Sequence, residues 1–119
     1  MINAGQIQEI LSLYKKHGWN LRRVLLSDGL RVNINEHIQD LFGGAEIVSS
    51  PFLNALWFTR ASGKTGEAWE LRHMSETPFA LVQVFPNDMN EDAREEIRNE
   101  MQTRLVNQTS KPASPESEK

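Results

Sequence analysis

The sequence predicts an α+β domain, and three observations carry that reading. Residues 54–85 contain three runs rich in aromatic and β-branched side chains, set apart by turn-forming residues. A helical apolar repeat precedes them and a second one follows. The connections between the runs are short, which makes the strands antiparallel neighbours in a three-strand meander packed by N-terminal and C-terminal helices.

The first helix carries its own signals. Asn3 is placed as its cap with Gln6 three residues on, as in a capping box, and Ile7, Ile10, Leu11 and Tyr14 recur on one face. Gly18 ends it, and Lys15, Lys16 and His17 complement the negative end of the helix dipole. Residues 21–34 then read in two ways. Asp28-Gly29 between Arg22–Ser27 and Leu30–Ile34 has the form of a hairpin with a type I′ turn, which would extend the sheet to four or five strands. The rival is one strand followed by a loop leading into a short helix.

A helix is expected from Asn35 to Phe42, with Ile34, Ile38, Leu41 and Phe42 along one side and Gly43-Gly44 stopping it. The connector to Phe52 holds a short strand candidate at Glu46–Ser49, broken by Pro51. Three strand runs follow: Asn54–Ala61, Glu67–Met74 and Phe79–Phe85, the last closed by Pro86, which cannot donate to a ladder. Pairing Ala61 with Glu67 puts Ala55, Trp57 and Thr59 on one face with Trp69, Leu71 and His73. Pairing Met74 with Phe79 adds Ala80, Val82 and Val84 to it. The opposite face then gathers Leu56, Phe58, Arg60, Glu70, Arg72, Leu81 and Phe85, and a slip of one residue would exchange these memberships. Both faces are largely apolar on either register.

The last helix is expected over residues 90–107, with Glu91 and Asp92 in its first turn and Ala93, Ile97, Met101 and Leu105 as a narrow stripe. Glu91, Glu95, Arg98, Glu100 and Arg104 fall on its wet side as ion-pair partners. From Thr109 onward no side chain is large and apolar enough to bury, so the reading is one domain over residues 1–108 and a disordered tail over 109–119.

Composition narrows the function classes. The chain has 119 residues and no cysteine, which removes disulfides and thiolate metal sites and fits a reducing cytoplasm. A net charge of -3 offers no general attraction to nucleic acid or anionic lipid, and no apolar run reaches membrane-spanning length. The expectation is therefore a small soluble cytoplasmic protein, with neither nucleic acid nor membrane as partner.

The short motifs favour structure over chemistry. Gly63-Lys64-Thr65 resembles the end of a phosphate loop, yet the earlier glycine position is Phe58 and a strand follows where a helix is needed. Asp88 to Asp92 alternates oxygen ligands as a calcium loop does, but Ala93 and Asn99 stand where glycine and a bidentate glutamate are required. His17, His37 and His73 sit on separate elements with no metal-ligand spacing, and His73 reads as a hydrogen-bonded structural residue. Lys15, Lys16, Arg22, Arg23 and Arg31 read as helix-end and solvated strand charges.

Nothing here calls for a cofactor or marks a reaction, so the leading expectation is a non-enzymatic interaction module. It would meet a protein partner or itself through an apolar sheet face carrying Leu56, Phe58, Arg60, Glu70, Arg72, Leu81 and Phe85. The alternative is a small-molecule binding protein or minor enzyme with a pocket between sheet and helices at Trp57, Trp69 and His73, beside Arg72.

Overall fold

The computed structural model describes residues 2–109. The chain runs through helix α1 (Ala4–Lys16), strand β1 (Asn20–Leu26), helix α2 (Asp28–Asn33), a 3₁₀ turn at Asn35–His37, and helix α3 (Ile38–Phe42). Strands β2 (Glu46–Ser49), β3 (Ala55–Ser62), β4 (Gly66–His73) and β5 (Ala80–Pro86) follow, and helix α4 (Glu91–Thr109) closes it. Thr109 thus ends a helix, and the remainder of the expected tail lies outside the described residues.

The fold is α+β. Among the described residues, five strands form one mixed sheet in the order β2-β1-β3-β4-β5, with only the β1–β2 pair parallel. Both sheet faces are covered by helices, as two apolar faces require. On one side Ile7, Ile10 and Tyr14 of α1, Leu30, Ile34 and Phe42 pack with Val24, Leu26, Leu56 and Phe58. On the other, Met101 and Leu105 of α4 pack with Leu25, Trp57, Trp69, Leu71 and Phe85.

Local signals position α1. The Asn3 Oδ1 accepts from the Gln6 N–H at 2.8 Å while the Gln6 Oε1 accepts from the Asn3 N–H at 3.0 Å, so the capping box is complete. Gly18 adopts φ 84, a left-handed turn that lets the chain reverse into β1.

Residues 28–34 correct the hairpin reading. Asp28 and Gly29 are the first turn of α2, capped by Ser27, whose Oγ accepts from the Leu30 N–H at 3.3 Å. Leu30 and Ile34 are buried while Val32 between them is 76% exposed, which fits a helix, because a strand would put all three on one face. The helix expected from Asn35 begins as a 3₁₀ turn and is α-helical only from Ile38.

The Ala61–Glu67 pairing is present, and Gly63 sits in the intervening turn at φ 64. The β4–β5 register differs from expectation by one residue: Leu71 opposes Leu81 and Arg72 opposes Ala80. Met74 does not pair with Phe79. Its N–H donates to the Asn54 carbonyl at 2.9 Å, and the His73 N–H takes the Phe79 carbonyl instead, also at 2.9 Å. The slip exchanges the faces of β5. Leu81, Gln83 and Phe85 face α4, and Ala80, Val82 and Val84 join Phe58 and Glu70 on the α1 side.

Arg98 is the other correction. It lies not on the wet side of α4 but 1% exposed on the inner side, with its guanidinium carbon 4.4 Å from the centre of the Trp69 ring. Its charge is paired with Glu91 and Glu95.

Candidate functional site

The helices do not cover the sheet evenly. Helix α1 crosses β3 and the near part of β4, where the Tyr14 ring stacks on Phe58 at 4.0 Å between centroids and its hydroxyl donates to Glu70. Beyond Glu70 the α1 side of the sheet is open. Val82 and Val84, neighbours on that face of β5, are 59% and 48% exposed.

A wall borders this open area. The Arg60 guanidinium lies over the Trp19 ring, 4.5 Å from its centre, and Arg60 Nη1 donates to the His17 carbonyl at 2.8 Å. Two open troughs meet at this wall and share Trp19, Arg60 and Glu70. One runs toward Val82 and Val84 over Ala68; the other runs toward Leu13, Tyr14, Arg72 and Pro78. Leu13 is 55% exposed, so apolar surface flanks the charged centre on two sides.

Several predicted interface residues meet here and others do not. Arg60, Glu70 and Arg72 line the troughs. Leu56 and Phe58 share their face but are buried beneath α1, so they act as core. Leu81 and Phe85 lie on the opposite face because of the register slip, Phe85 wholly buried under α4. Sequence reasoning missed Val82 and Val84 for the same reason, although their alternation with Leu81, Gln83 and Phe85 was visible.

The expected pocket residues lie on the α4 side. Trp57 and Trp69 contact each other edge to face, with centroids 5.7 Å apart, and each indole N–H is satisfied, by Gln102 at 3.0 Å and by Glu67 at 2.8 Å. They are core indoles with polar tips tied off. His73, at the end of β4, places Nδ1 3.0 Å from the Ser75 Oγ. Neighbouring Arg72 donates to the His73 and Thr77 carbonyls, tying down the β4–β5 connection.

Two ionisations are displaced here. Burial pushes the Tyr14 hydroxyl far above its ordinary range, reinforced by its hydrogen bond to Glu70 and opposed by Arg72. Burial, and secondarily Arg72, lowers the His73 imidazole below its ordinary 6.5. The unfolded chain therefore takes up a proton at His73 before the folded chain does. His73 stability is present above pH 6.5 and is lost as pH falls from there toward the lower folded value. Denaturant titrations at about pH 7.5 and about pH 5.5 are expected to show wild type losing more stability on acidification than His73→Gln. Equal losses would remove His73 from that dependence.

The remaining motifs have structural roles. Gly63, Lys64 and Thr65 form the β3–β4 turn, and the Asn90 Oδ1 caps α4 by accepting from the Ala93 N–H at 2.8 Å. Among the described residues, no three His, Asp or Glu side chains group as they would around a metal ion, and no helix is long and apolar enough to cross a membrane.

Strand β5 is also an outer edge of the sheet. Its backbone direction follows from the bonds at its two ends, Phe79 to His73 and Asn87 to Thr65. With alternation along an antiparallel ladder, Leu81, Gln83 and Phe85 turn their N–H and C=O groups to β4, while Ala80, Val82 and Val84 turn theirs outward. Pro86 falls at an outward position, where its missing N–H costs no ladder bond, and its carbonyl accepts from Arg94 Nη2 at 2.9 Å.

No family model matches the chain, and no curated protein or solved structure matches it significantly. The functional reading therefore rests on this geometry.

Proposed function

We propose that the chain is a non-enzymatic interaction module, which binds a protein partner through the open part of its sheet. The binding surface is the β5 edge with Val82 and Val84, backed by the trough at Trp19, Arg60 and Glu70. One observation carries this reading: two adjacent, largely exposed valines stand on an edge strand that has no charged residue between Thr77 and Asn87. Edge strands are ordinarily blunted by lysine, proline, inward charges or a covering loop, because unpaired N–H and C=O groups recruit further strands, and here the prolines, Pro78 and Pro86, stand only at the two ends. An edge left uncharged and apolar suits addition of a strand from a partner, with backbone bonds giving affinity and side-chain pockets giving selectivity. The Arg60–Glu70 centre supplies polar contacts that fix the partner's orientation.

A photo-crosslinking amino acid at Val82, compared with one at Val32, tests this in cells. Both sites are exposed, but Val32 lies on α2, away from the edge. The expected result is discrete protein adducts from position 82 that disappear when Val84→Lys is added. Indistinguishable adducts from both positions would make β5 ordinary surface. Val84→Lys itself is expected to change folding stability by less than about 0.5 kcal/mol, because its charge stays in water in the free chain.

A further inference from the structure

The edge carries a pattern that matches itself. Counting from Val82, the outward positions are Ala80 and Val84 two residues away and, continuing the alternation, Pro78 and Pro86 four residues away. Both prolines lack an N–H. A strand running antiparallel to β5 about a two-fold axis at Val82 would place Val82 against Val82, Ala80 against Val84 and Pro78 against Pro86. Every outward N–H then meets an outward C=O, and no donor is stranded at either end.

We propose that the partner is a second copy of this chain, paired through β5 about that axis so that two five-stranded sheets become one. The inference rests on the interaction-module reading above and names its partner. A two-fold contact uses the same patch on both copies, so the patch must complement itself, and this nine-residue stretch does. Because residues 77–87 are uncharged, bringing two copies together opposes no like charges along the ladder. Beyond the prolines the chain bends away, at residues 74–77 on one side and in the turn closed by the Met89 N–H on the Pro86 carbonyl at 3.1 Å on the other, which limits the ladder to the segment between them.

The side chains agree with the backbone. On the α1 side, Val82 of each copy packs beside its equivalent, and each Val84 packs beside the other copy's Ala80, covering the most exposed apolar surface of the sheet. The Val84 carbonyl already accepts from Gln83 Nε2 at 3.3 Å. Its second lone pair is available to the facing Ala80 N–H. A contact built on one strand pair is small, so the dimer is expected to dissociate on dilution.

The chain's lack of cysteine makes the register directly testable. Sedimentation of the full chain from micromolar to millimolar concentration is expected to show a rise toward twice the 13.6 kDa chain mass, abolished by Val82→Lys. Under mild oxidation, Val82→Cys alone is expected to form a disulfide-linked dimer, since facing α-carbons lie about 5.5 Å apart. Ala80→Cys alone is not, because its copies sit about 13 Å apart along the strands. Mixed with Val84→Cys, it is expected to give the heterodimer.

A wild-type dimer that persists undiminished in Val82→Lys would overturn the proposal. So would a monomer at every concentration with no Val82→Cys cross-link. In that second case, adducts at position 82 with a different polypeptide would leave the interaction-module reading standing. Their absence would remove both.

Discussion

Phe58→Glu is expected to leave the chain unfolded. Phe58 is 1% exposed, stacked on Tyr14 and enclosed by the core that α1, α2 and α3 build on the sheet. A carboxylate there loses its water without gaining a cation, and loss of the aromatic packing adds to the cost. The combined penalty is at least about 5 kcal/mol, comparable to the whole stability of a small domain. Circular dichroism and sizing chromatography on this variant provide the check. A folded Phe58→Glu with altered association would mean that α1 does not cover β3 and that the interface lies on Phe58 itself.

Arg98→Ala is expected to destabilise by about 2–4 kcal/mol, whereas Arg98→Met should recover most of that loss. The reasoning weighs packing against charge. The Arg98 side chain lies over Trp69 and fills the gap between α4 and the sheet, while its partners Glu91 and Glu95 are 72% and 43% exposed and can return to water. Methionine restores the volume over the indole without the ion pairs. If Met and Ala variants were equally unstable in denaturant titrations, the ion pairs rather than the packing would hold α4 in place.

What could be read from the sequence was what neighbours along the chain decide. The capping box at Asn3 and Gln6, the stripe of Ile7, Ile10 and Tyr14, and the Ala61–Glu67 pairing across a glycine turn all depend on residues a few positions apart. The failures were set by distant contacts or by ambiguous residues. Asp28-Gly29 serves a type I′ turn and a helical first turn equally well, and the difference was the Ser27 cap, with Leu30 and Ile34 buried while Val32 between them stays in water. The β4–β5 register turned on Met74 giving its N–H to Asn54, a contact twenty residues away. Arg98 reads as a solvated charge by type, yet it stands three residues before Met101 and seven before Leu105, which is the spacing of a buried helix side.

The candidate site was legible only in its charges. Arg60, Glu70 and Arg72 were identifiable as polar residues on an apolar face. Which apolar residues accompany them depends on how far α1 reaches across the sheet, and nothing in the α1 sequence states that reach. The helix stops over Phe58 and Glu70, so Leu56 and Phe58 became core while Val82 and Val84 remained open.

Amide hydrogen exchange along β5 tests the central claim most directly, that this edge is open in the free chain and closed by pairing. In dilute protein, Leu81, Gln83 and Phe85 should exchange slowly because their N–H groups bond to β4, while Ala80, Val82 and Val84 should exchange rapidly. At high concentration the second set should slow while the first is unchanged. Protection of Val82 and Val84 equal to that of Leu81 and Gln83 even at the lowest concentration would contradict the account, because the edge would then be covered within the chain itself.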